Sequence, residues 1–448
     1  MKILCWRFPA RIFSVSILLL VSLLLPLPPK KVGALRPKNE FSFTHHVHNT
    51  RHARRHVKAV SSDSDFVNTR GHQFTVNGKA LYVNGANIYW LMSMGTEEST
   101  RSVVTDVLTE AAAVGVTVVR TWAFADGSDY HPLQKTPGMF DESTFQGLDF
   151  AISEAKKHGI WLILSLVNNY ADYGGKPQYV EWANTYAGTN LTSEDDFFSD
   201  ATIRAWFKDY IRTIVTRVNT IGGVAYRDEP AIFAWELMNE PRCGSDPTGN
   251  GCSVQAWLEE MALYVKSLDT NHMLEVGLEG FYSSAVSLES VDRESSNPGT
   301  FATQYGVDFI RNQQISALDF ASVHSYPDNW TPSLTEAEKR KFMVKWIQTH
   351  INDSETTLQK PVLFAEFGKS SRTSGYKETV RIDAMRSMFN AVYDSAAKQG
   401  AAAGAMVWML VTNSTKNTLA DGFEIDLSSD LAIASLMQNQ ASRMSSLS

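Results

Sequence analysis

From about residue 65 onward, short apolar runs bounded by glycine or proline alternate with longer segments of helical period. The runs are "ALYVNGANIYW" at 80–90, "VTVVRTWAF" at 116–124, "IWLILSLVNNY" at 160–170 and "AIFAWELMNEP" at 231–241. They continue with "MLEVGLEGFY" at 273–282, "FASVHSYP" at 320–327, "PVLFAEFG" at 361–368 and "AAGAMVWML" at 402–410, making eight. Helical segments are predicted at 100–115, 145–159, 200–219, 253–269, 335–351, 381–400 and 431–444, while the link between the fifth and sixth runs reads as mostly loop. Near-continuous apolar runs, as opposed to strict alternation, belong to strands buried on both faces of a parallel sheet covered by helices. Eight such repeats predict an α/β fold, a single (β/α)8 barrel. A doubly wound open sheet needs a glycine-rich phosphate turn after its first strand, and "VNGANIYW" has none.

The segment before the barrel has a different character. Lys2, Arg7 and Arg11 precede an apolar run from Ile12 to Leu25 and the exit "PLPPKKVGA", the layout of a secretory signal peptide over residues 1–34, cut after Ala34. The run is shorter than the roughly 20 residues of a comfortable membrane span; the other reading is a signal anchor through residues 12–27 in a secretory-pathway membrane. Residues 35–64, basic and rich in histidine, read as a flexible linker, which leaves 65–448 for the barrel. Beyond Cys5, the cysteines are Cys243 and Cys252 in one Gly/Pro/Asp loop. In an oxidising compartment they are expected to pair, contributing about 2–3 kcal/mol by closing so short a loop. Glycosylation sequons stand at Asn190, Asn329, Asn352 and Asn413. These features together predict a secreted protein. A net charge of −7 and a pI near 5.9 give no footprint for nucleic acid.

In a barrel of this kind the ligand site lies at the C-terminal strand ends, and six of the eight runs end there in polar or ring-bearing side chains. The second ends in Arg120-Thr121-Trp122, the third in Asn168-Asn169, the fourth in Asn239-Glu240-Pro241. The sixth ends in His324-Ser325-Tyr326, the seventh in Glu366-Phe367-Gly368 and the eighth in Trp408. Two rim carboxyls three strands apart, Glu240 and Glu366, suit glycoside hydrolysis, in which one protonates the leaving oxygen and the other attacks or activates water. A metal site would ask for further carboxylates or histidines in a compact set; only His324 is placed for that, so no metal is expected. Glu236, four residues before Glu240 and so deeper in the barrel, reads as a structural hydrogen-bonding residue, and Trp235 as core.

The set "RTW", "NEP", "HSY", "EFG" and the Trp of the eighth run resembles glycoside hydrolase family 5. "RTWAFADG", "GGKPQYVEWA", "YRDEPAIFAWELMNEPRC" and "ADGFEI" extend the likeness, over about residues 65–430, to the plant endo-β-1,4-mannanases. The resemblance implies a retaining, endo-acting enzyme on β-mannan polysaccharides, without cofactor and with no protein partner indicated. It implies Glu240 as general acid/base, Glu366 as nucleophile and Asn239 as holder of the sugar 2-hydroxyl. Arg120 and Tyr326 would support the nucleophile, His324 would orient the site, Trp408 would form a stacking floor and Trp122 would line the neighbouring subsite. Glu240 is then expected to stay protonated near neutral pH while Glu366 stays ionised. The polar stretch 287–316 and "MLVTNSTKNT" after Trp408 depart from the pattern and bear on substrate choice. A β-glucanase, a transglycosylase and a non-catalytic polysaccharide-binding barrel are the competing readings.

Overall fold

Strands β1 (Val83–Asn87), β2 (Val118–Trp122), β3 (Trp161–Ser165) and β4 (Ile232–Glu236) lie side by side and parallel, with β5 (Met273–Glu275) beyond β4. On the other side of β1 follow β8 (Ala402–Val407), β7 (Val362–Phe367) and β6 (Ala321–Ser325), again parallel. The seam between β5 and β6 is closed by Asp319 N–H to the Leu274 carbonyl at 2.9 Å and His324 N–H to the Glu279 carbonyl at 3.0 Å. The eight strands thus form a (β/α)8 barrel. This computed structural model describes residues 66–127, 130–247 and 253–448; the expected signal segment 1–34, the linker 35–64 and Cys252 lie outside the described residues. Among the described residues, no helix is long and apolar enough to cross a membrane.

Helices α1 (Arg101–Ala113), α2 (Glu142–Lys157), α3 (Ala201–Thr216) and α4 (Ser253–Leu268) follow β1 to β4. The short α5 (Phe309–Gln313) follows β5, and α6 (Glu336–Asp353), α7 (Glu378–Ala396) and α8 (Leu431–Ser445) follow β6 to β8. Several starts are written locally. Asp141 accepts from Ser143 N–H at 2.9 Å and Thr144 N–H at 3.1 Å to cap α2. Asp200 caps α3 in the same way, and Thr335 with Glu338 forms a capping box on α6. Caps of this sort each contribute about 1 kcal/mol.

Each strand is shorter than the apolar run that predicted it. The fourth run spans 231–241, but β4 stops at Glu236; the remaining residues turn outward at the rim and supply the site. The fifth run yields only three strand residues, and the link to β6 is built from short helical pieces, Ala285–Leu288, Val291–Ser296 and Phe309–Gln313, where a loop was expected. An antiparallel sheet of Asn68–Arg70, Gln73–Val76 and Lys79–Leu81 precedes β1 and was not anticipated. Its Phe74 packs edge-on against Phe233 and Phe320, each at 5.1 Å, within the cluster that includes Val83, Val118 and Ile163. The N-terminal pole is therefore sealed with hydrocarbon, which leaves the opposite pole as the open one.

Candidate active site

Arg120 organises the rim from inside the barrel. It has no solvent exposure, and each of its five N–H groups has an acceptor. Nε and Nη2 grip Glu236 Oε2 and Oε1 at 2.5 and 2.7 Å; Nη2 also donates to Asn239 Oδ1 at 2.7 Å. Nη1 donates to Glu366 Oε1 at 2.5 Å and to Asn87 Oδ1 at 3.1 Å. Glu236 thus has the structural partner that its depth suggested. A bidentate guanidinium–carboxylate pair is geometrically specific, so β2, β4 and β7 are fixed relative to one another by this side chain.

Glu366 sits in β7 with its second oxygen, Oε2, accepting from Tyr326 O–H at 2.6 Å. Glu240 stands just beyond β4 at φ +48°, a left-handed conformation that costs a residue with a Cβ about 1–2 kcal/mol; its N–H is held by the Gly277 carbonyl at 2.9 Å. Glu240 Oε1 lies 2.7 Å from His324 Nδ1, and Glu240 Oε2 accepts from Tyr170 O–H at 2.9 Å. His324 Nδ1 is also 3.6 Å from Glu366 Oε2, and Trp346 N–H donates to the His324 carbonyl at 2.9 Å. One donor atom each of Glu240, His324 and Glu366 falls within 4.8 Å of the others. Such a trio alone suits a divalent ion, but the Arg120 and Arg242 charges face Glu366 and Glu240, and Tyr326 O–H holds the other Glu366 oxygen. The environment is built for carboxylate and imidazole protonation chemistry.

The proton order differs from the sequence expectation. Burial alone would raise Glu240, yet its bond to His324, the His324 charge, Arg242 and Tyr170 bring it down to about 2. Burial raises Glu366, with the Glu240 charge adding to it, against the pull of His324, Arg120 and Tyr326. His324 would be lowered by burial but is raised by Glu366 and Glu240. The site proton therefore rests on the imidazole side of the 2.7 Å His324–Glu240 contact. Moving it across that contact gives neutral histidine and protonated Glu240 with no change in proton count. For Glu366 the ionised form is the one the geometry serves, since each oxygen accepts from a dedicated donor.

Asn239 is oriented by Arg120 at its oxygen, while its Nδ2 donates to Asn168 Oδ1 at 3.0 Å, leaving one amide N–H for a ligand. Asn169 Oδ1 accepts from Arg242 N–H at 3.2 Å. Trp408 is half-buried, stacked on Tyr89 with centroids 5.6 Å apart, and its indole N–H donates to Asp421 at 2.7 Å. The Trp408–Met409 peptide is cis. Trp122 lies 6.1 Å from Trp408, with the Arg120 guanidinium 4.8 Å from its ring. Sequence reasoning missed Tyr170, Tyr89, Asp421 and the pair of half-buried Arg242 with buried Glu279, whose bidentate contacts are 2.6 and 2.8 Å. Burial pushes Glu279 up to about 7 despite Arg242. The signal for Arg242 was present: a cation two residues past a rim carboxylate. Cys243 is buried, and its expected partner is outside the described residues; Asn190, Asn329, Asn352 and Asn413 are all exposed.

Residues 64–420 match the family model described as GH family 5 beta-mannosidase-like. The chain is 45% identical over 379 residues to mannan endo-1,4-beta-mannosidase 7 of Arabidopsis thaliana, covering 85% of each protein. It is 45% identical over 387 residues to mannan endo-1,4-beta-mannosidase 5 of Solanum lycopersicum, covering 86% of this chain and 91% of that relative. The solved structure of an endo-beta-1,4-mannanase from Thermotoga petrophila superposes with a TM-score of 0.70 at 33% identity, over 82% of this chain and 78% of that one. An endo-1,4-beta-mannanase from Rhizomucor miehei gives 0.71 at 30% identity, over 85% and 99%.

Proposed function

This chain belongs to glycoside hydrolase family 5, in its β-mannosidase-like group, and from that premise we propose that it is a secreted, endo-acting, retaining β-mannanase of the cell wall. Its substrates are internal β-1,4 linkages of mannan, glucomannan and galactomannan. The observation that carries the mechanism is the spacing of the two acids: donor oxygens of Glu240 and Glu366 lie within 4.8 Å. Retaining enzymes hold their carboxyl groups about 5–5.5 Å apart, whereas inverting ones need about 6.5–9.5 Å to admit a water.

In the first step Glu366 attacks the anomeric carbon, forming the glycosyl ester as the C1–O bond to the leaving sugar breaks. The proton shared by His324 and Glu240 passes through Glu240 to that departing oxygen. Water then attacks C1, gives its proton to Glu240, and the ester bond opens to restore the Glu366 carboxylate. Arg120 and Tyr326 keep Glu366 ionised and aimed; the free amide N–H of Asn239 is placed for the 2-hydroxyl. Trp408 offers the ring face not covered by Tyr89 to a sugar.

The test is the purified full chain on mannan, galactomannan, glucomannan and a soluble cellulose derivative, reading reducing ends and product lengths. Mid-chain cleavage of the mannans with slow or no release from cellulose is expected. Equal rates on cellulose would overturn the substrate assignment, and inactivity on every glycan would favour a binding barrel. Products longer than the starting oligosaccharide would reveal transfer to a sugar acceptor. Secretion is tested separately by sequencing the N-terminus of the exported protein, with a start after Ala34 expected and an intact Met1 in a membrane fraction contradicting it.

A further inference from the structure

Below the reacting groups, the barrel interior contains a third carboxyl beyond the two that Arg120 contacts. Glu275 ends β5 directly in register with Glu236 of β4, and neither has any exposure to solvent. Arg120 from β2 already faces Glu236 and Glu366. A third ionised carboxylate beside them would be a buried, uncompensated anion, which desolvation strongly disfavours. Glu275 Oε2 accepts from Gly277 N–H at 2.6 Å and from Ser322 O–H of β6 at 2.5 Å, whereas Glu275 Oε1 is buried without a hydrogen-bond partner beside the in-register Glu236. Two ionised carboxylates are acceptors only, so an unpartnered carboxyl oxygen beside Glu236 is satisfied by that neighbour only when one of the two groups carries a proton. Arg120 grips both oxygens of Glu236 and keeps that group ionised, which puts the proton on Glu275. Burial and the Glu236 charge raise Glu275 well above the carboxylate range, in the same sense. Gly277 makes the arrangement sterically feasible: at φ +89°, a Cβ there would meet the Met238 carbonyl oxygen at 2.2 Å and the Glu236 carboxyl carbon at 2.9 Å.

We propose that Glu275 is a positioning residue for the glycosidase reaction, a buried neutral acid whose O–H satisfies Glu236 so that Arg120 remains shared with Glu366 and Asn239. The inference rests on Glu366 being the nucleophile. Removing that O–H makes Glu236 a stronger competitor for the guanidinium and weakens the support of ionised Glu366. The groups facing Glu275 are Glu236 from β4, Arg120 from β2 and the uncharged Ser322 from β6.

The test compares the wild-type full chain with Glu275→Gln and Glu275→Leu, measuring kcat/KM against pH on a manno-oligosaccharide. Gln keeps a donor toward Glu236 and should leave the acidic limb in place. Leu, of similar volume and without a donor, should move that limb to higher pH by about one unit with KM little changed. Equal losses in both variants at all pH values, without movement of the limb, would reduce Glu275 to packing and overturn the proposal. Infrared difference spectra decide the proton independently of activity, including when the Leu variant does not fold. The wild type at neutral pH should show a protonated-carboxyl C=O stretch that Glu275→Gln lacks, and its absence overturns the proposal. A wild type inert on mannans yet carrying that band would sink the functional reading while leaving the buried proton in place.

Discussion

Replacing Tyr326 by Phe isolates the support given to Glu366, the proposed nucleophile. The substitution removes one oxygen, the donor 2.6 Å from Glu366 Oε2, and keeps the ring that packs edge-on against Phe423 at 5.3 Å. Arg120 remains on the other oxygen, so the site should stay assembled. A hydrogen bond to a charged group contributes about 1.5–3 kcal/mol; at about 1.4 kcal/mol per pKa unit, its loss raises Glu366 by about 1–2 units. The sign follows from the charged form being the one stabilised. Glu366 is already raised by burial, and hydrolysis needs it ionised, so activity falls as pH drops through its value. The acidic limb of kcat/KM should therefore move up by about 1–2 units in the variant, with the melting temperature falling less than in the Arg120→Lys variant, which loses two such bonds. An unmoved limb accompanied by a uniformly lower plateau would refute the idea that Tyr326 acts by holding charge on Glu366.

Glu366→Ala should abolish turnover while oligosaccharide binding, followed calorimetrically, persists; wild-type-like hydrolysis would remove Glu366 from the mechanism. Arg120→Lys keeps the charge but offers three donors where five are used. Losing two charge-assisted bonds at about 1.5–3 kcal/mol each should lower the melting temperature by several degrees and kcat/KM by at least about 100-fold; near-wild-type values in both would contradict the network. His324→Gln removes the base that shares the acid's proton. Because His324 is raised from its ordinary value, the wild-type alkaline limb should lie above pH 6.5, and in the variant it should fall to lower pH, read from the same kcat/KM profile.

The barrel was legible because its strands are buried on both faces and so appear as near-continuous apolar runs. The candidate rim was legible because polar residues follow those runs at one end only. What was not legible was set by contacts between residues far apart in the chain. Glu240 was expected to hold its own proton, since a sequence places His324 on the rim without saying that it lies 2.7 Å away. Tyr170 closes the third apolar run, and nothing in the sequence places its hydroxyl on Glu240. Glu275 and Glu279 fell inside the fifth run, where three residues form strand and the rest turn across the seam. The Asn68–Leu81 sheet was hidden because its strands are three or four residues long, too short for alternation to register. The motifs "NEP", "HSY" and "EFG" carried the site further than periodicity did.

The separation of the two carboxyls is tested most directly by proton NMR of the first sugar released from a β-manno-oligosaccharide, recorded before mutarotation. Two displacements at one carbon, by Glu366 and then by water, predict that the new reducing end appears first as the β-anomer. An initial α-anomer would mean a single displacement, and a Glu240–Glu366 pair within 4.8 Å could not be the reacting geometry.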